Sequence, residues 1–366
     1  MTQSTHAWLI LAHAHVRVAE FDKLRQRFQE VAAIVEQKPG ELKATGLSEE
    51  KCAAIASPDH ERIATAEEWL QQDGHHVVAY GEDDYPEMLA QIPGPPLLLY
   101  VNGNVDALHL PALAIIGSRN PTKGGLRNAF DFSRHLAQQG FVIASGLAEG
   151  IDSAAHRGAL DAGGNTVAFL GHGIDRVYPS ANRDLAHSIA ASGALVSEYP
   201  LGAKPERWHF PERNRLMSGI SLGTIVVEAA RRSGSLITAR LAADQGREVF
   251  ALPGSIHNPL SRGCHALIRQ GAKLVETAGD ILAELVPLAG HMQLSTTAAP
   301  ADPAPGPIAD DDYAELRSAL SHDPATINEL ESQSGLTIEQ LSSMLLILEL
   351  HGEVESLSGG RYALSG

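Results

Sequence analysis

LAIIGSRNPTKGGLRNAFDFSRHLAQQGFVIASGLAEGIDSAAH (113–156) decides the fold. Two short apolar runs, Leu113–Gly117 and Phe141–Ser145, flank a stretch, Leu126–Gln139, that fits a helix. A strand buried on both faces reads as an unbroken apolar run, and a helical crossover between two such strands makes them parallel. The unit then repeats. TVAFLG (166–171), ALVSE (194–198), TIVVEA (224–229) and EVFALPG (248–254) are four further strand candidates, and Ile151–Ala162 is a second crossover helix. Six such strands predict a doubly wound, extended Rossmann-like α/β sheet, completed by GCHALIRQGAKLV (263–275) and AGDILAELV (278–286).

Outward from this block, residues 1–80 read as a helical domain. The turn Glu41–Lys51, with Gly46 and a Ser48 cap, has the look of a helix-hairpin-helix or SAM-like connection. The segment is acidic, which points to packing and not to phosphate contact. Residues 81–104 form a bridge punctuated by Pro and Gly, ending in a strand at Leu97–Val101, so the sheet domain spans 81–286. A Pro/Ala-rich linker covers 287–309. In 310–366, three helices (310–320, 327–334, 338–351) and a hairpin joined by Ser358-Gly359-Gly360 predict a winged helix.

Composition narrows the class. The 366 residues are 44% apolar and 20% charged, the balance of a multi-domain globular chain. No apolar run approaches a bilayer span, and no basic segment precedes the first apolar stretch, so a cytoplasmic protein is expected. Cys52 and Cys264 are too few for a disulfide framework, and the 17 His residues show no metal-ligand spacing, so no metal or cofactor is expected. The net charge of −16 is unevenly spread. Residues 1–111 carry 8 basic and 17 acidic side chains, 112–254 carry 15 and 12, and 255–366 carry 5 and 15. The centre is a basic island, able to attract a polyanion because screening confines each charge to about 8 Å at physiological salt.

Chemistry-bearing residues sit at the ends of the strands, where doubly wound sheets bind ligands. Gly117-Ser118-Arg119 closes the first strand and offers a guanidinium to a phosphate. Ser145, Gly146 and Gly150 follow the second, where glycines permit close backbone approach and a helix N-terminus attracts anions. Asp152 and His156 share a helical face, read as a capping carboxylate and a satisfied core His. Tyr178-Pro179-Ser180-Ala181-Asn182 is explained by turn chemistry. In Lys204–Arg215, the cations Arg207, Arg213 and Arg215, with Asn214, interleave with Trp208 and Phe210, as single-stranded nucleic acid requires. Phe210 is expected to be exposed and Trp208 packed. Ser233, Gly234 and Ser235 place small donors at another helix start, and Glu228 is expected to organise that loop. Neither the G-x-G-x-x-G fingerprint nor a P-loop occurs, which argues against a Walker-type ATPase.

Gly117-Ser118-Arg119, SGLAEGIDSAAH (145–156), YPSAN (178–182), FPERNR (210–215), SGSLITA (233–239) and ALPG (251–254), in this order, closely resemble the DNA-processing protein A (DprA, or Smf) family of bacteria. The resemblance implies an extended Rossmann fold that binds single-stranded DNA without catalysis, protects incoming DNA in natural transformation and loads the RecA recombinase onto it. It also implies that Arg119 holds a phosphate, that Arg207 stands where the family often has Lys, and that Phe210 stacks a base. A homodimer is expected through the edge at Gly263–Val275, with His265, Ile268 and Leu274 at the interface. The winged helix, with 2 basic and 11 acidic residues from Asp310 onward, is expected to contact protein and not DNA. The alternative function is a Rossmann enzyme that binds or hydrolyses nucleotides.

Overall fold

The computed structural model describes residues 3–285, 313–321, 324–350, 353–357 and 361–364. The expected linker at 287–309 and the turn Ser358–Gly360 lie outside them. The chain forms two compact units, Met1–Thr297 and Ala298–Gly366.

In the first unit nine strands form one sheet: β1 (His75–Ala79), β2 (Leu98–Gly103), β3 (Ala112–Ile116), β4 (Val142–Ser145), β5 (Thr166–Phe169), β6 (Ala194–Ser197), β7 (Ser221–Val226), β8 (Glu248–Ala251) and β9 (Lys273–Leu274). Their spatial order is β1-β2-β6-β5-β4-β3-β7-β8-β9. The seven strands from β6 to β9 pair in parallel, through crossovers that include the helices Lys123–Gln138 and Ile151–Asp161. The six strand candidates of the central block are all present. The wholly parallel sheet is corrected at one edge: β2 pairs antiparallel with β6, and β1 antiparallel with β2. The β1 segment, HHVVA, is too short and too weakly apolar to stand out before its pairing with β2 is known.

Alternation along each strand feeds two faces. Leu98 and Tyr100 join the core beneath the N-terminal helices, while Leu99 and Val101 join the core on the opposite face. The N-terminal helices Gln3–His13, Val18–Phe28 and His60–Trp69 therefore cover one side of the sheet, and residues 1–80 share an apolar core with it. Phe21, Leu24 and Ile63 are buried there, each worth about 1.5–3 kcal/mol. Ser48 caps the helix Glu49–Ala56 as expected, its Oγ accepting from Lys51 N–H at 3.4 Å. Lys43 and Lys51 are paired with Glu49 and Glu20, which fits a packing role for this turn. Both cysteines are free and buried. Among the described residues no helix is long and apolar enough to cross a membrane.

The second unit is a small winged helix. Helices Ala314–Ala319, Ile327–Ser334 and Ile338–Leu350 pack with a sheet of β10 (Ala325–Thr326), β12 (Arg361–Leu364) and β11 (Val354–Leu357), in that order. Leu316, Leu330, Leu341, Leu345 and Leu348 form its core. Thr326 and Glu329 make a reciprocal capping box, and Gly335, at φ 71°, ends that helix. Arg317 pairs with Glu353 at 2.8 Å.

Candidate nucleic-acid interface

β3 and β7 are neighbours, but the chain leaves β3 toward β4 and leaves β7 toward β8 on the other side. The turns at their carboxyl ends diverge and open a groove of about 890 Å³. Gly117, Ser118 and Arg119 form one wall, and Arg232, Ser233, Gly234 and Ser235 form the facing wall. Arg207, Phe210, Arg213 and Asn214 enter from the loop and helix His209–Ile220. The expected cation and aromatic groups thus converge. The Arg119 guanidinium lies 5.8 Å from the Phe210 ring centroid.

Close backbone approach holds this shape. Gly150 sits at φ 83°, and a Cβ there would lie 2.4 Å from the Ser118 carbonyl oxygen, so the β3 turn presses against the start of helix Ile151–Asp161. Ile151 N–H donates to that same Ser118 oxygen at 3.1 Å, so the first N–H of this helix is spent on the fold. Ser235 Oγ donates to the Gly117 carbonyl at 2.7 Å, tying the two walls together. Glu228 holds the turn after β3 and not the Ser233–Ser235 loop expected of it: it accepts from Thr122 N–H at 2.9 Å and from Thr122 Oγ1 at 2.7 Å.

Beneath the groove lies a buried polar floor. Arg213 is 4% exposed and donates to the Phe169 carbonyl at the end of β5. Burial brings its pKa down to about 10, against the opposing pull of Asp152. Asp152, also buried, accepts from Gly146 N–H at 3.2 Å and Ala148 N–H at 3.4 Å; burial pushes its carboxyl up, while Arg213 pulls it back. His156 bonds Thr166 Oγ1 at 2.7 Å, and burial, reinforced by Arg213, holds the imidazole down at about 3. Asp152 and His156 are scaffold groups. Neither is placed as an acid–base pair.

Four expected contacts stand away from the groove surface. Ser145 is buried and donates to the Ile115 carbonyl. Gly146 lies under Arg213, whose guanidinium a Cβ there would meet at 2.6 Å. Gly150 acts through the turn contact described above. Arg215 is turned to the far side of its helix, where it pairs with Glu198 at 2.5 Å. The two aromatics are corrected outright: Trp208 is 59% exposed and Phe210 is half-buried. Phe210 is seated against Gly171, where no side chain intervenes, whereas Trp208 precedes the helix on the loop. Tyr178 also lines the groove, its ring centroid 5.8 Å from that of Phe210 and its side chain 49% exposed. Turn chemistry hid it; its place in the YPSAN motif (178–182) was the available signal. Of the interface candidates, Leu274 on edge strand β9 is 45% exposed, and His265 and Ile268 are half-buried on the helix Ser261–Arg269.

Fold and groove together define a doubly wound α/β protein whose candidate ligand site, at the strand carboxyl ends, is built from guanidinium groups, small donors and aromatic rings. Comparison with known proteins narrows the class. Residues 76–286 match the family described as DNA recombination-mediator protein A, and residues 299–360 match the DprA winged helix domain. Protein Smf of Escherichia coli is 39% identical, covering 87% of this chain and 85% of its own. DNA processing protein DprA of Streptococcus pneumoniae is 48% identical over 56% of this chain and 72% of its own. The X-ray structure of DNA processing protein A from Streptococcus pneumoniae superposes with a TM-score of 0.68 at 37% identity, covering 78% of this chain and 98% of that one. DNA processing protein A from Helicobacter pylori, in a structure described in terms of its single-stranded DNA binding mode, gives 0.53 at 31% identity over 58% and 96%. This chain belongs to the DNA recombination-mediator protein A (DprA/Smf) family.

Proposed function

We propose that the groove binds single-stranded DNA and that the chain acts in the cytoplasm as a recombination mediator, protecting incoming DNA in natural transformation and loading RecA onto it as a homodimer, with no catalysis of its own. One observation carries the DNA reading: Arg119 lies 5.8 Å from the Phe210 ring, with Arg207 lining the same groove. Guanidinium groups neutralise phosphates, and a ring at the same place stacks a base, a combination duplex DNA cannot satisfy because its base faces are hidden. The scaffold roles of Asp152 and His156 support the absence of catalysis, and the family likeness supports the mediator role.

The test is a binding series on oligothymidine at 50 and 200 mM salt. Arg119→Ala and Arg207→Ala should each flatten the salt dependence by about 0.7 for every phosphate that is no longer neutralised. Phe210→Ala should cost about 1–3 kcal/mol and leave the slope nearly unchanged. Folded variants that all bind like the parent protein would remove the groove assignment.

A further inference from the structure

The helix His209–Ile220 has a second working face. Phe210, Arg213, Asn214 and Met217 recur at helical spacing and line the groove. His209, Glu212 and Arg215 are turned the other way, toward a cleft of about 550 Å³ between the end of the first helix, at Ala12 and His15, and the residues after β6. The basic loop before the helix divides the two cavities.

Three features of this cleft describe a ligand. First, it has a stacking surface. Trp208 stands at its wall, 59% exposed, with its ring centroid 4.0 Å from that of His209, which lies 3.9 Å from Tyr199. The other two tryptophans, Trp8 and Trp69, are in the core. Second, two buried polar groups that line the cleft have no partner among the described residues: Tyr100 Oη, on a side chain 1% exposed, and Arg215 Nη1. Buried donors left unpaired cost about 1–3 kcal/mol each, so a site holding two of them suits a ligand with acceptors. Third, acceptors stand nearby. Glu198 uses Oε2 for Arg215 at 2.5 Å, and Glu212 uses Oε2 for Tyr199 Oη at 3.3 Å, so each carboxylate keeps a second oxygen for a ligand.

Two carboxylates repel a phosphate, so the phosphate stays outside, and the aromatic wall beside mixed donors and acceptors suits a planar base inside. Among the bases, guanine offers both halves of the match. Its N1–H and N2–H₂ donate side by side to a carboxylate, and its O6 and N7 accept from donors such as Arg. Thymine has no exocyclic amine. Exposed Lys204 and Arg207, on the dividing loop, would hold the phosphate outside. We propose that this cleft is a guanine-selective base pocket, filled either by a base of the strand lying in the neighbouring groove or by a free guanine nucleotide. The strand source rests on the groove reading above; the free-nucleotide source does not.

The experiment uses the full chain. Fluorescence anisotropy compares a 20-residue oligothymidine with one in which every fifth thymine is replaced by guanine, and calorimetry compares guanosine 5′-monophosphate with thymidine 5′-monophosphate. The guanine-containing strand should bind about tenfold more tightly. Trp208→Ala and the conservative Glu212→Gln should abolish that preference, Glu212→Gln while leaving oligothymidine affinity unchanged, with circular dichroism confirming the fold. Arg119→Ala should weaken both strands and preserve their ratio. A strand preference with no heat from the guanosine nucleotide assigns the pocket to the strand; heat from that nucleotide alone assigns it to the free form. Equal binding of the two strands together with no guanosine signal overturns the pocket, as does equal heat from the two nucleotides, or a preference that survives both pocket variants. Failure of oligothymidine to bind at all sinks the groove reading, and the nucleotide titration then still decides the pocket.

Discussion

Arg213 belongs to the arginine-rich run that the sequence assigns to DNA, yet it is 4% exposed beneath the groove, and replacing it separates a scaffold from a contact. Arg213→Met keeps most of the side-chain volume and removes the charge. The Phe169 carbonyl loses its donor, which costs about 1–3 kcal/mol for a buried acceptor. The buried Asp152 loses its opposing charge, and breaking a buried charge arrangement by removing one partner brings the sum to about 3–5 kcal/mol. At roughly 2–4 °C per kcal/mol for a unit of this size, Tm should fall by about 10 °C. The pH dependence has a definite sign. Burial raises the folded-state pKa of Asp152, and loss of Arg213 raises it further, so the variant takes up a proton on folding and recovers stability as pH falls from 8 toward the unfolded carboxyl value near about 4. Adding Asp152→Asn should restore part of the lost stability at pH 8. Thermal melts across pH, with oligothymidine binding at two salt concentrations, make the measurement. A stable Arg213→Met protein whose salt slope drops by about 0.7 would show Arg213 to be a phosphate contact and refute the scaffold reasoning.

Gly150→Ala places a methyl 2.4 Å from the Ser118 carbonyl at a φ of 83°, so it should cost about 1–3 kcal/mol and weaken oligothymidine binding by displacing Arg119; a melt and a binding isotherm unchanged from the parent would contradict this. The winged helix has only Arg317 and Arg361 as Lys/Arg cations, and Arg317 is paired with Glu353, so residues 310–366 alone should show no micromolar binding to duplex DNA in physiological salt, as read by anisotropy. For the proposed homodimer, Leu274→Asp on the β9 edge should sediment as a folded monomer, and a parent protein already monomeric at tens of micromolar would rule the interface out.

Much of the fold was legible because its signals are local. A strand buried on both faces must be apolar throughout, and a helix between two such strands makes them parallel, so Leu113–His156 and its repeats determine the doubly wound sheet without knowledge of contacts. The ends of those strands then locate the groove, and Arg119, Arg207, Phe210 and Ser233–Ser235 meet there as the motifs imply. What the sequence could not decide is which side of an element faces what. β1 is a strand only because β2 offers it an antiparallel edge. Arg213 and Arg215 are two residues apart in one basic run, but about 100° per residue turns one under the groove and the other into the cleft beside Glu198. Trp208 is exposed and Phe210 half-buried, against expectation, because Gly171 leaves room for one ring, while the other sits before the helix begins. Periodicity and composition are properties of a chain, and they determined the sheet and the chemistry of its edge. Burial, charge pairing and the direction of a side chain belong to residues brought together from distant positions, and only the tertiary structure decided those.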